Sequence, residues 1–201
     1  APWPDMEEKM REYGIPLYAH ESGDPLSDFD IVGFTLQYEL CYTNVLNMLE
    51  LGGIPLLASE RGENDPIIIG GGPCAYNAEP IADFFDVLDI GEGEEMLPRF
   101  TRMYAKMKRE GASRAEILRA TSHLDGFYVP ALYEVEYGAD GTISSFEPKY
   151  DDIPRTVQKQ IIADLDSVYF PDKFVMPYIE TVHDRIVPEV YRGCIRGCRF
   201  C

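Results

Sequence analysis

The stretch that most limits the fold is DPIIIGGG, Asp65 to Gly72. Three isoleucines in a row, with no polar residue among them, suit a short strand covered on both faces rather than a half-exposed one. The glycines that follow let the backbone turn and approach other groups closely at the end of that strand. Two further segments repeat the theme. SDFDIVGFTLQYE (Ser27–Glu39) has a β-rich centre at Ile31-Val32-Gly33-Phe34, and FFDVLDIGEGE (Phe84–Glu94) is a second short apolar strand running into Gly91-Glu92-Gly93. Between and after these strands the period changes. YTNVLNMLELGG places Val45, Leu46 and Leu49 at helical spacing and stops at Gly52-Gly53. EEMLPRFTRMYAKMKREG predicts a helix with Leu97, Phe100, Met103, Tyr104 and Met107 along one side, and Ser113 with Glu116 forms a capping box that opens a further helix.

Strands alternating with helices at this spacing mean βαβ units and a parallel sheet. Residues 1–122 therefore read as an α/β, Rossmann-like domain. Three strands are clear and GIPLYA is a weaker fourth, a thin sheet that predicts further elements ahead of Ala1. From residue 123 the pattern becomes β-rich. In GFYVPALYEVEYGADGTISSFEPKY, Tyr133, Val135 and Tyr137 alternate and Asp140-Gly141 supplies a hairpin turn. TVQKQIIADL reads as one more strand. Residues 123–184 are thus expected to form a connector packed on the sheet domain, and residues 185–201, with the strand IVPEVYRGC, to begin another domain.

The chain closes on YRGCIRGCRFC, where Cys194, Cys198 and Cys201 stand in the spacing C-x3-C-x2-C beside Gly193 and Gly197. Three thiols this close, in a loop that glycines let bend, form a metal-binding pattern. Zinc ordinarily takes paired C-x2-C knuckles with two further ligands, and no matching pair occurs elsewhere in the sequence. Iron–sulfur clusters are held by cysteine thiolates, ordinarily four for a four-iron cluster, so three in one loop leave one iron open. Cys41 and Cys74 are each isolated in apolar sequence and read as small core residues.

This constellation resembles the radical S-adenosylmethionine (SAM) superfamily. The resemblance implies that Cys194, Cys198 and Cys201 bind a [4Fe–4S] cluster. SAM then occupies the open iron, and Phe200, next to the last cysteine, lies on the adenine side. It implies reductive cleavage of SAM to a 5′-deoxyadenosyl radical, an electron donor of flavodoxin or ferredoxin type, and a partial barrel whose first strand is IVPEVYRGC. A second resemblance lies in IIIGGGPCAYNAEPIADFFDVLDIGEGEE. Gly71, Gly72, Pro73, Pro80, Asp89 and Gly91 through Glu94 match the GGP…P…D…GEGE pattern of cobalamin-binding-type domains ahead of radical SAM barrels. The similarity runs from APWPDME to RGCIRGCRFC and is closest to a family of large bacterial radical SAM proteins. The chain is accordingly expected to be an N-terminal piece of such an enzyme, inactive alone.

The resemblance places a ligand edge at Gly71, Gly72, Pro73, Gly91, Glu92 and Gly93, and leaves cobalamin open. With cobalamin, methyl transfer to an unactivated carbon leads; without it, methylthiolation-like or rearrangement chemistry. The cobalt-ligating pattern D-x-H-x-x-G is missing at His20, His123 and His183. The stretch is not the dinucleotide fingerprint either, because Pro73 follows the glycines. Glu92, Glu94 and Glu95 suit a helix start, Trp3 between prolines suits a surface loop, and His183-Asp184 reads as an ordinary loop pair. The rival reading is a non-catalytic binding module with a structural or vestigial metal site.

Net charge decides what this surface does not do. At −17, with 35 acidic against 18 basic residues, a broad nucleic-acid surface is disfavoured. No apolar run approaches the roughly 20 residues a membrane span requires, and the first residues lack a signal peptide's basic start and apolar stretch. Reduced thiols and a cytoplasmic location are the corresponding expectation.

Overall fold

The computed structural model describes residues 1–171, 173, 180, 185 and 188–199. They fall into two compact units, Ala1–Ile161 and Ile162–Cys201.

The first unit is built on the apolar runs. Strands β1 (Ile31–Thr35), β2 (Ile67–Gly71) and β3 (Val87–Asp89) lie side by side and parallel, with Ile31 opposite Ile67 and Ile69 opposite Val87. A two-residue strand, β4 (Phe127–Tyr128), then adds antiparallel to β3, so the order is β1-β2-β3-β4. The α/β sheet expected from the sequence is therefore present, with one antiparallel edge. Ile67, Ile68, Ile69, Val87 and Leu88 are all buried, as strands covered on both faces must be. One face carries Val32, Leu36, Val45, Leu49, Ile68, Phe85 and Leu88; the other carries Ile67, Ile69, Val87, Met96, Phe100 and Phe127.

Helices α2 (Tyr42–Leu51), α3 (Gly93–Arg109) and α4 (Arg114–Ser122) follow the predicted segments. The capping box at α4 is complete: Ser113 Oγ accepts from Glu116 N–H at 3.3 Å, and Ser113 N–H donates to Glu116 Oε2 at 2.8 Å. In α3 the buried stripe is Met96 and Phe100, while Leu97, expected on the core side, is 39% exposed. The helix begins at Gly93, and its first turns point Met96 rather than Leu97 at the sheet.

Elsewhere the structure differs from the sequence expectations. Trp3 lies exposed outside any element, as expected of a surface loop, and precedes a helix that no expectation covered, α1 (Pro4–Tyr13), which has Pro4 at its first position and Gly14 in the left-handed conformation at its end. Only Met10 of α1 is buried, so the helix lacks the apolar stripe that reveals one. It is tied down by polar contacts instead: Arg11 Nη2 donates to Asn47 Oδ1 at 2.9 Å, and Asn47 Nδ2 to Glu7 Oε2 at 2.8 Å. GIPLYA forms no strand and pairs only through an isolated bridge from Tyr18 to Pro25. Phe127 and Tyr128 belong to the main sheet, leaving the hairpin as β5 (Tyr133–Tyr137) and β6 (Ile143–Pro148). The hairpin rejoins the core through Tyr133 and Phe146, whose rings stack at 4.9 Å. Of TVQKQIIADL only Gln160 bridges the sheet, at Gly91, because no neighbouring ladder extends beyond that residue.

Of the second unit, the described residues show a short 3-10 turn at Leu165–Ser167, opened by Asp164, whose side chain accepts from Asp166 N–H at 3.1 Å. Ile186 and Val187 lie outside the described residues, and 188–194 carry no strand. No helix among the described residues is long and apolar enough to cross a membrane.

Candidate functional site

Cys194 and Cys198 are exposed, free thiols. The loop that carries them starts at Gly193, whose φ of 91° is open to glycine and strained for other residues. After it, Arg196 N–H donates to Cys194 Sγ at 3.3 Å. Ahead of it, the Arg192 guanidinium donates to both oxygens of Glu189, at 2.8 Å each, and holds that carboxyl below its usual range. Phe200 and Cys201 lie outside the described residues, as do His183 and Asp184. Among the described residues no group of three His, Cys, Asp or Glu side chains is arranged around one point. The donor set nevertheless fits an iron–sulfur cluster: both described thiols face outward without a partner that would have to be displaced, and one sulfur already receives a backbone N–H. Amide-to-sulfur hydrogen bonds are among the contacts that tune such clusters. Thiols without carboxylates suit soft metals rather than magnesium or calcium. Cys74 is buried and Cys41 packs partly buried against the same core.

The glycine edge lies at the carboxyl ends of β2 and β3. Here the space beside each glycine is filled by the chain itself. A Cβ on Gly71 would collide with Asp89 Oδ1. One on Gly72, which takes φ 99°, would stand 3.0 Å from Leu36 O. That backbone is locked in place, because Leu36 N–H donates to Gly71 O at 2.6 Å and Cys74 N–H to Leu36 O at 3.0 Å. At Gly91 a Cβ would fall on the carbonyl of Gln160. Pro73 opens a short 3-10 turn, and Glu92 and Gly93 lead into α3, whose first turn carries Glu94 and Glu95. A corrinoid docking here would need open surface beside these glycines, which the chain itself fills. The residues present do not fit that group.

Sequence reading singled out Asp89 only as part of a pattern; the fold gives it a distinct character. It is 7% exposed, its Oδ1 is buried without a hydrogen-bond partner among the described residues, and burial pushes its carboxyl up to about 6. A group of this kind is recognised only once Gly71 and Gly93 are seen beside it, since a Cβ on Gly93 would stand 3.7 Å from Asp89 Oδ2. A second group absent from the sequence reading is Glu79. It accepts from Tyr128 Oη at 2.7 Å and Tyr137 Oη at 3.2 Å in a cleft of about 570 Å³, and burial together with Glu79 pushes the Tyr128 hydroxyl upward. These side chains come from three separate segments, so no local spacing announces them.

Comparison with known proteins addresses the chain as a whole. A relative from Methanocaldococcus jannaschii, described as an uncharacterized protein, is 27% identical over 199 residues, which is 96% of this chain and 34% of the relative. The chain thus spans about a third of the length of the curated relative it matches. No solved structure matches. The family described as "Radical SAM proteins, N-terminal" matches residues 1–130, the segment that holds the parallel sheet and both glycine motifs. By that match the chain belongs to the radical SAM proteins, in the family defined on their N-terminal region.

Proposed function

We propose that this chain carries the cluster-binding segment of a radical SAM enzyme, with Cys194, Cys198 and Cys201 as ligands of a [4Fe–4S] cluster and Phe200 on the adenine side of SAM. The observation that carries the reading is the C-x3-C-x2-C loop, whose two described thiols are free and exposed, in a chain of this family. When bound, the cluster supplies the electron that cleaves SAM and so yields a hydrogen-abstracting radical. What the chain's own residues do is simpler. Gly193 turns the loop, the Arg196 amide reduces charge on the Cys194 sulfur, and the Glu189–Arg192 fork orders the residues leading in.

In this reading residues 1–122 scaffold, residues 123–184 connect, and residues 185–201 open the radical SAM domain of a longer protein. That protein acts on a substrate still to be identified, with a flavodoxin- or ferredoxin-type protein as electron source. Methyl transfer through cobalamin is the disfavoured branch, because the glycine edge that would cradle the corrinoid is filled by Asp89, Leu36 and Gln160. The 201 residues alone, with their thiols open to water and oxygen, are expected to show no turnover.

The test is the electron paramagnetic resonance spectrum of the intact protein, reconstituted anaerobically and reduced, with and without SAM. A reduced-cluster signal that shifts on adding SAM is expected. A signal indifferent to SAM would favour a structural cluster and the non-catalytic reading.

A further inference from the structure

The glycine edge raises a question that the family pattern does not answer: what these glycines are for if nothing docks against them. Gly91 takes φ 140° and pairs in parallel with Gln160. Gln160 N–H donates to Ile90 O at 3.1 Å, and Glu92 N–H to Gln160 O at 3.1 Å. The two backbones lie so close that a Cβ on Gly91 would stand 2.7 Å from the Gln160 nitrogen, besides falling on its carbonyl. Gly126, at φ 87°, closes the other side. A Cβ there would meet Gln160 Cγ and Met96 Sδ, both at 2.7 Å, and the Gly126 carbonyl accepts from Ile90 N–H at 2.6 Å. Residues 90, 126 and 160 are thereby stitched together. Val157 packs against the core just before this point, and the Lys159 ammonium stands 5.0 Å from the Tyr76 ring.

We propose that Gly91 and Gly126 form a clamp for the chain's own segment 157–160, and that this clamp stands where a corrinoid or nucleotide would dock on a sheet of this kind. Two physical points carry it. The backbone groups of residues 90 and 92 that a ligand would engage are already bonded to Gln160, and breaking them exposes buried donors and acceptors. The surroundings are also acidic, with Asp89 buried beneath and Glu94 and Glu95 in the first turn of α3, which opposes a phosphate-bearing ligand. The clamp has a use of its own. Gln160 lies two positions before Ile162, where the second unit begins, so the paired backbones fix the point at which the chain leaves the sheet. Gly91 and Gly126 act as positioning residues.

Two measurements on the intact protein test this, neither of which reads the cluster, so their outcome is separable from that of the proposed function. Titration with aquocobalamin followed by gel filtration should show no corrinoid travelling with the protein; one corrinoid per chain at micromolar concentration would overturn the proposal. Gly91→Ala should release the segment and speed trypsin cleavage after Lys159 by about tenfold or more. Should that variant fail to fold, hydrogen exchange on the natural protein decides. Protection of the Gln160 and Glu92 amides comparable to that of Leu88 supports the clamp, and exchange as fast as in exposed loops contradicts it.

Discussion

Asp86→Ala is expected to lower the stability of the first unit by about 3–5 kcal/mol, the usual consequence of stripping one partner from a buried ion pair. Asp86 is 2% exposed and sits between two guanidiniums, with Arg61 Nη1 at 3.0 Å and Arg114 Nη2 at 2.7 Å. It also accepts from Ile68 N–H at 2.8 Å, which ties the group to β2. The Arg61 side chain is fully buried and spends its other donors on the carbonyls of Pro55, Leu56 and Phe84. Burial already pulls this guanidinium down from its ordinary range, and Asp86 is its principal counterweight. Without the carboxylate, two guanidiniums lose their ion-pair partner and a strand amide loses its acceptor. Urea denaturation reads the effect as a lower midpoint. The exposed pair of Lys108 and Asp30 serves as the control, because Asp30→Ala should move the midpoint little. A midpoint for Asp86→Ala within error of the natural protein would show that the triad is not what joins the 55–66 segment, β2 and α4.

Asp89→Asn is expected to act in the opposite direction and stabilise. Burial raises the folded-state value to about 6, from the usual unfolded value of about 3.9. Folding therefore favours the protonated carboxyl. Its contribution is fully present below about pH 4 and is lost as pH rises through about 6. Above that window the charged form costs roughly two units of pKa, or about 3 kcal/mol as an upper figure. Asparagine keeps the shape and removes the charge, so the variant should gain up to about 2–3 kcal/mol at pH 7 and almost nothing at pH 4. The measurement is the denaturation midpoint across that range. Equal loss of stability at both pH values would mean that the carboxylate has a donor the fold depends on.

What could be read from the sequence follows the range of the interactions. Ile67-Ile68-Ile69 and Val87-Leu88 declare buried strands because burial on both faces leaves no polar positions, and Ser113 with Glu116 declares a helix start because the capping box closes within four residues. The cysteine loop is equally local. Helix α1 stayed hidden because its contacts are polar and its partners, Asn47 and Glu50, lie on α2; only Pro4 and Gly14 bracket it in the sequence. The Arg61–Asp86–Arg114 triad joins residues 25 and more positions apart, and so does Gly91 with Gln160. The same glycines that resemble a ligand cradle serve chain-to-chain packing, and no linear pattern distinguishes the two uses. Only the atoms beside each Cα do.

The central claim is that the three clustered cysteines, and not the two in the core, hold iron. The direct measurement is iron and acid-labile sulfide per chain after anaerobic reconstitution of the intact protein. It is made on the natural sequence and on single Cys→Ala variants at positions 41, 74, 194, 198 and 201. About four irons and four sulfides are expected in the natural protein. Both should be retained in Cys41→Ala and Cys74→Ala and lost in Cys194→Ala, Cys198→Ala and Cys201→Ala. Zinc in place of iron, or full iron retained after removal of any of the three, would contradict it.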